Sequence, residues 1–173
     1  MCLGVYKKEY PLHGKYVADA DIVCYKVVLC ARSYKEWLVR NGYSAELVRN
    51  GYSAEAEDVA YSAEAEDVAY MAPYQHTPYE IGKEYKSILS VDMFGSKDSD
   101  ELFGVEAGLH TFIELDDAEG ERIYFLNLYD GAVNVAIVEC RIPQGSTYYR
   151  GEFGTEIGSF ASDTLVLDKV IKE

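Results

Sequence analysis

Histidine followed directly by threonine occurs twice in this chain, as His76-Thr77 and His110-Thr111. A histidine beside a hydroxyl is common raw material for phosphoryl and acyl transfer. Phosphoester chemistry on a paired His motif needs the His and the Ser or Thr two apart, so that both side chains leave a strand on one face. Here they adjoin and would face opposite ways, so that chemistry is not expected. His110, within Gly108–Phe112 (GLHTF), reads instead as a hydrogen-bonded histidine at a strand edge, and it is the best single candidate for a functional side chain. The second candidate is Tyr148-Tyr149-Arg150, with Phe153 beyond it. Two aromatic rings and a guanidinium can stack on a base and grip a phosphate. Strand alternation divides them, Tyr148 and Arg150 on one side and Tyr149 with Phe153 on the other.

Other chemistry is poorly provided for. Metal ligands come at tight spacing, such as Cys-x-x-Cys or His at i and i+4, whereas the three histidines stand at 13, 76 and 110. No metal and no cofactor are expected, and no catalytic residue is assigned. Glu55-Ala-Glu57 and Glu64-Ala-Glu66 match the Glu-x-Glu of some ADP-ribosyltransferases, but both lie inside duplicated sequence and read as a solvated helix face. Gly145, Gly151, Gly154 and Gly158 are spaced as turn punctuation and form no phosphate loop.

Charge narrows the partners. The chain of 173 residues carries a net charge of −14, and two stretches hold it. Residues 54–69 have six acids and no base; residues 92–130 have eleven acids against Lys97 and Arg122. Such a surface repels nucleic acid and anionic membrane, so neither is an expected partner. It suits a basic protein. Sixteen tyrosines fit both a strand-rich fold and a recognition surface. No apolar run approaches the eighteen or so residues that span a bilayer, the N-terminal MCLGVYKKEYPL has no apolar targeting core, and four cysteines at 2, 24, 30 and 140 suit a reducing compartment. A cytoplasmic protein is expected.

The elements that must position these residues are mostly strands. Asp21–Cys30 (DIVCYKVVLC) and Val133–Ile142 read as buried strands. Tyr79–Leu89, Leu109–Glu114, Ser146–Phe153 and Thr164–Ile171 add further strands, and Ser90–Glu106 reads as a polar, acidic loop. Ser33–Arg40 predicts a short helix closed by Asn41-Gly42. Leu115–Tyr129 is ambiguous between helix and strand. The fold class is α+β, a single domain over 1–173 with a mixed, mainly antiparallel sheet and few helices.

Into this frame residues 38–73 insert two tandem duplications. Leu38–Glu46 (LVRNGYSAE) recurs unchanged as Leu47–Glu55, and Ala56–Glu64 (AEDVAYSAE) begins again as Ala65–Pro73 (AEDVAYMAP). Nine residues are two and a half helical turns, so one extra copy rotates all that follows by half a turn, whereas two copies restore phase. A packed core tolerates that poorly. The segment reads as a surface insertion, helical over Ser53–Ala72.

Four pieces resemble, in their order, a family of small uncharacterised proteins of phages, prophages and gut bacteria: DIVCYKVV at 21–28, TPYEIGKEYKS at 77–87, GLHTF at 108–112, and VECRIPQGSTYYRGEFG with ASDTLVLDKVI across 138–171. The resemblance covers most of the chain outside residues 31–73. It implies a phage accessory product, a class that often binds host proteins or signalling molecules; with no catalytic constellation in the sequence, the expectation is a non-enzymatic protein that binds a host or phage protein. Counter-defence is the role it suggests, exercised through the acidic, tyrosine-rich surface. The alternatives are a nucleotide-sequestering sponge using Tyr148 to Arg150, an ADP-ribosyltransferase-like enzyme with His110 in its site, and a minor virion protein for which homo-oligomer contacts would matter.

Overall fold

The computed structural model describes residues 3–6, 14–42, 70–74, 77–92, 101–153 and 157–173. Thirteen strands in that part of the chain join one sheet, and every described ladder is antiparallel. The longest ladder pairs β3 (Ile22–Cys30) with β10 (Val135–Ile142). Eight residues run in unbroken register, from Val135 opposite Leu29 to Ile142 opposite Ile22. β-Branched residues dominate both strands, as a sheet with two covered faces requires. Beyond β10 lie β13 (Thr164–Lys172) and the short β6 (Glu84–Lys86).

On its other side β3 meets β9 (Leu109–Phe112), and from there the path runs through β12 (Ile157–Ser162), β11 (Thr147–Phe153) and β1 (Leu3–Tyr6) to β8 (Glu101–Ala107) and β7 (Ser90–Asp92). β8 and β9 are nevertheless separated in sequence by Gly108 alone. The path β9–β12–β11–β1–β8 therefore leaves one continuous stretch of chain at its second half and returns to its first. A flat sheet cannot do this, because β8 and β9 would stand four strand spacings apart, about 19 Å. The sheet must curl until it closes on the bent strand. Gly108 makes the corner. Its φ of +149° is a conformation L side chains rarely adopt, and a Cβ there would lie 2.8 Å from Leu89 Cδ2 and 3.4 Å from Ala161 Cβ. Val105, Tyr149 and Ala161 fill the space inside the curl, with Leu89 against them.

Two larger core layers lie on the faces of the sheet. One takes Cys24 and Val28 of β3, the even-numbered residues of β10, Leu109, Phe160, Leu165 and Leu167, with Tyr79; neither helix contributes to it. The other receives α1 (Ala31–Arg40) and α2 (Leu115–Leu128) on Val27, Leu29, Val135, Ile137 and Phe112. α1 ends as its sequence predicts: the Asn41 side chain donates to the Trp37 carbonyl at 2.9 Å and Gly42 follows at φ +82°. α2 resolves the ambiguity of Leu115–Tyr129 in favour of helix. Ala118, Phe125 and Tyr129 are buried at the i, i+7, i+11 spacing of one helical stripe.

The structure departs from the sequence reading in four places. Ser90–Glu106 is not a loop throughout: β7 and β8 occupy its two ends, and pairing with β1 carries an acidic stretch into the sheet. Tyr79–Leu89 is not one strand. β5 (Pro78–Tyr79) and β6 are parted by a turn at Gly82, φ +84°, whose N–H donates to the Leu167 carbonyl at 2.6 Å. Tyr70–Met71, placed in a helix by the sequence, forms β4 and pairs with Leu29–Cys30. Met71 and Ala72 are buried, so this end of the insertion belongs to the core; residues 43–69 of it lie outside the described residues. β2 (Gly14–Val17) was not expected and pairs with β11.

Cys24 and Cys140 face each other directly across the β3–β10 ladder and are both free and buried. Burial pushes the Cys24 thiol up to about 11 and Cys140 upward as well, which keeps both protonated and unreactive.

The corner at Gly108 carries a testable consequence. Gly108→Ala should destabilise the protein by about 1–3 kcal/mol from backbone strain alone, read as a lower urea midpoint. An unchanged midpoint would mean the corner tolerates a side chain.

Candidate functional site

β3 changes partner along one edge. It pairs with β9 at Tyr25 opposite Phe112, and four residues later with β4 at Leu29 opposite Met71. Between those pairings the strands diverge, and the gap holds a cavity of about 40 Å³ lined by Lys26, Val27, Ala72, Pro73, Tyr74, His110, Phe112, Glu121 and Phe125. That is room for about three water-sized groups. α2 roofs it through Glu121 and Phe125.

Lys26 and His110 are the chemistry in it. Each is only 8% exposed. Lys26 donates from Nζ to the His110 carbonyl at 2.7 Å and lies 5.2 Å from the centre of the Tyr79 ring. A carbonyl dipole and a π face soften the cost of a buried cation. Among the described residues no carboxylate approaches the ammonium closely enough to pair with it. The His110 ring is in a harder position: neither Nδ1 nor Nε2 has a partner at good hydrogen-bond geometry, and the Glu106 backbone offers only a weak contact. Burial, then the Lys26 charge, hold His110 down to about 3. It is a neutral imidazole at physiological pH. At the rim the Tyr74 hydroxyl donates to Glu121 Oε1; burial and then that carboxylate raise the Tyr74 phenol.

His110 is therefore not the edge histidine read from the sequence. β9 lies between β3 and β12, and the register that places it there depends on contacts distant in sequence. The four candidate residues do not converge either. His110, Ala161 and Tyr149 are paired in line across β9, β12 and β11, so His110 and Tyr149 share a face two strands apart, about 10 Å. Tyr148 and Arg150 occupy the opposite face. Tyr149 is buried, while Tyr148 stacks on Tyr16 at 5.5 Å and meets Phe160 edge-on at 5.4 Å. The two stacked tyrosines close the space a base would need between them.

Lys26 and Glu121 were missed in the sequence. Lys26 interrupts an otherwise apolar run, DIVCYKVVLC, at a position whose neighbours are buried, and a lone charge inside a buried strand was the available signal. Glu121 was hidden among the acids of its stretch.

A second feature lies on the far side of α2. Its solvent stripe is Asp116, Gly120, Ile123, Tyr124, Asn127 and Leu128, all exposed. Ile123, Tyr124 and Leu128 are 55%, 54% and 53% exposed, so the C-terminal half of this helix is apolar on both faces. Gly120 sits mid-stripe with nothing within 4 Å of where a Cβ would be.

No family model, curated protein or solved structure matches the chain. Among the described residues no group of three His, Cys, Asp or Glu could hold a metal ion, and no helix is long and apolar enough to cross a membrane.

The neutral state of His110 fixes a pH dependence. The folded state binds its proton only near pH 3, the unfolded chain near 6.5. The unfolded state therefore takes up the proton first as pH falls, and the stability due to His110 is full above about 6.5 and lost progressively toward 3. Between pH 6.5 and 4, urea denaturation should show the wild type losing stability faster than His110→Phe, by up to about 1.4 kcal/mol per pH unit. Parallel losses would show that the folded protein admits the proton.

Proposed function

We propose that the chain is a non-enzymatic binding protein that engages a basic, partly apolar protein surface through the outer face of α2. The observation that carries this is the exposed stripe Ile123, Tyr124 and Leu128 on a helix that already buries its other face. Large apolar side chains clustered in water on one element mark interaction sites more often than chance. Asp116 and Asp117 in the first turn of the same helix set the sign of the partner; Glu119 is paired with Lys172 and Glu121 turns to the cavity. The helix's one base, Arg122, turns its Nε inward to the Val135 carbonyl at 2.7 Å. An acidic rim around an apolar centre steers a cationic surface and rejects an anionic one.

Gly120 supports the reading. A mid-helix glycine costs about 0.5–1 kcal/mol relative to alanine, and no neighbour in the chain requires the missing side chain. On a docking face it lets another backbone approach closely. The resemblance to phage and prophage proteins makes a host protein the natural partner, and counter-defence the role. A nucleotide sponge is the weaker reading, because Tyr148 and Arg150 face away from Tyr149 and Tyr16 already covers the Tyr148 ring.

The test uses immobilised protein and lysate of the bacterial host at low and high salt. The wild type should retain a basic protein at low salt and release it as salt screens the acidic rim. Ile123→Ser with Leu128→Ser should reduce retention at least tenfold while the fold is kept. Gly120→Ala should raise stability by about 0.5–1 kcal/mol and still weaken retention. A partner held equally by all three proteins would remove α2 from the interface, and no partner at low salt would remove the proposal.

A further inference from the structure

The longest ladder of the sheet sets two thiols side by side. Cys24 of β3 and Cys140 of β10 are direct partners within its unbroken register, and both are free and fully buried. Residues directly opposed in an antiparallel pair have Cα atoms about 4.5 or 5.5 Å apart, according to whether the pair is hydrogen-bonded. A disulfide spans about 4.4–6.8 Å between Cα atoms. Either kind of pair therefore admits the bond without moving the backbone. Both side chains enter the same core layer, and the Cys24 thiol donates to the Cys140 carbonyl at 3.7 Å. Cys30 cannot compete with either of them. It stands further along β3, about 20 Å from Cys24, opposite Tyr70 of β4.

We propose that Cys24 and Cys140 form a reversible cross-strand disulfide, made as the two strands pair. The oxidant is a small disulfide of the glutathione type. While β3 and β10 are apart, the thiolate of one cysteine attacks that disulfide and expels one glutathione thiol, which leaves a mixed disulfide on the chain. As the ladder closes, the other cysteine's thiolate attacks the protein sulfur of the mixed disulfide and expels the second glutathione. The two cysteines together lose two electrons and two protons, and the oxidant takes up both and leaves as two thiols. In the folded, reduced protein the route is blocked. Burial, the largest influence, holds both thiols above their ordinary range, and neither sulfur is open to a bulky oxidant. The Lys26 charge, two residues along β3 on the same face, works the other way at both positions, while Asp168 opposes it. The same burial shields the bond from reductants once it is made. The two positions are 116 apart in sequence, and a link across so long a loop removes much freedom from the unfolded chain.

Refolding the reduced full chain from urea in a buffer of reduced and oxidised glutathione tests this, beside native reduced protein held in the same buffer. The refolded chain should be lighter by two hydrogens, and non-reducing proteolytic mapping should join the peptides of Cys24 and Cys140. The native sample should stay reduced over the same time. The linked protein should keep the circular dichroism of the reduced one and show a higher urea midpoint, which dithiothreitol added in urea returns to the reduced value. Cys140→Ala should lose this oxidant-dependent rise. No link, or a link through Cys2 or Cys30, would overturn the proposal. A chain linked between 24 and 140 that loses the native dichroism would overturn it too, because the register demands no backbone movement. Native protein oxidised as fast as the refolding chain would overturn the coupling to strand pairing. Each outcome is independent of whether α2 captures a protein.

Discussion

A single backbone corner holds this fold together. Gly108 lets the stretch from Glu101 to Phe112 bend between two ladders, β8 on β1 and β9 on β12, so the sheet closes on its own strand. The interior of that curl is small and filled by Val105, Tyr149 and Ala161, and Leu89 lies 2.8 Å from the position a Cβ at residue 108 would take. The same bend aims β9 at β3. Because β9 turns away after one residue pair, β3 must find another partner for its far end, and β4 supplies it. The cavity with Lys26 and His110 is the gap left by that exchange. Strand curvature thus opens the site, and the turn at Ala72, Pro73 and Tyr74 completes its wall.

Much of the frame was legible because local pattern and tertiary role agreed. The β-branched runs at Asp21–Cys30 and Val133–Ile142 became the two central strands, and Asn41-Gly42 closed α1. The sequence failed where long-range pairing decided. Glu101–Ala107 follows the polar, acidic run 92–100 and reads with it as one loop, yet β1 captures it. Gly82 was a turn inside what alternation presented as one strand. For Leu115–Tyr129 both periodicities scored, because apolar residues occupy the inner and outer faces of α2 alike. That ambiguity was itself the trace of the exposed apolar stripe Ile123, Tyr124 and Leu128. His110 was singled out as a candidate side chain and placed at an edge, since nothing local tells an interior strand of four residues from a border one. Cys24 and Cys140 could not be paired on sequence spacing at all; only the register of β3 against β10 brings them together.

Electrostatics give the molecule two contrasting regions. Outside, acids gather around α2; inside, a lysine and a neutral histidine sit within the sheet. A buried ammonium in a chain of −14 could have been neutralised by any of thirty acids, yet among the described residues none pairs with it. The Lys26 ammonium rests instead on the His110 carbonyl and the face of the Tyr79 ring. α2 links the regions physically, presenting Glu121 and Phe125 to the cavity and Ile123, Tyr124 and Leu128 to solvent.

The central claim is that one bent strand serves two ladders at once. Nuclear Overhauser contacts between backbone protons across both ladders test it directly. In a single folded species, Val105 should show cross-strand contacts to Leu3, and Leu109 should show them to Ser162. Contacts from Leu109 without those from Val105, or contacts that place residues 101–107 in a loop, would contradict the closure of the sheet.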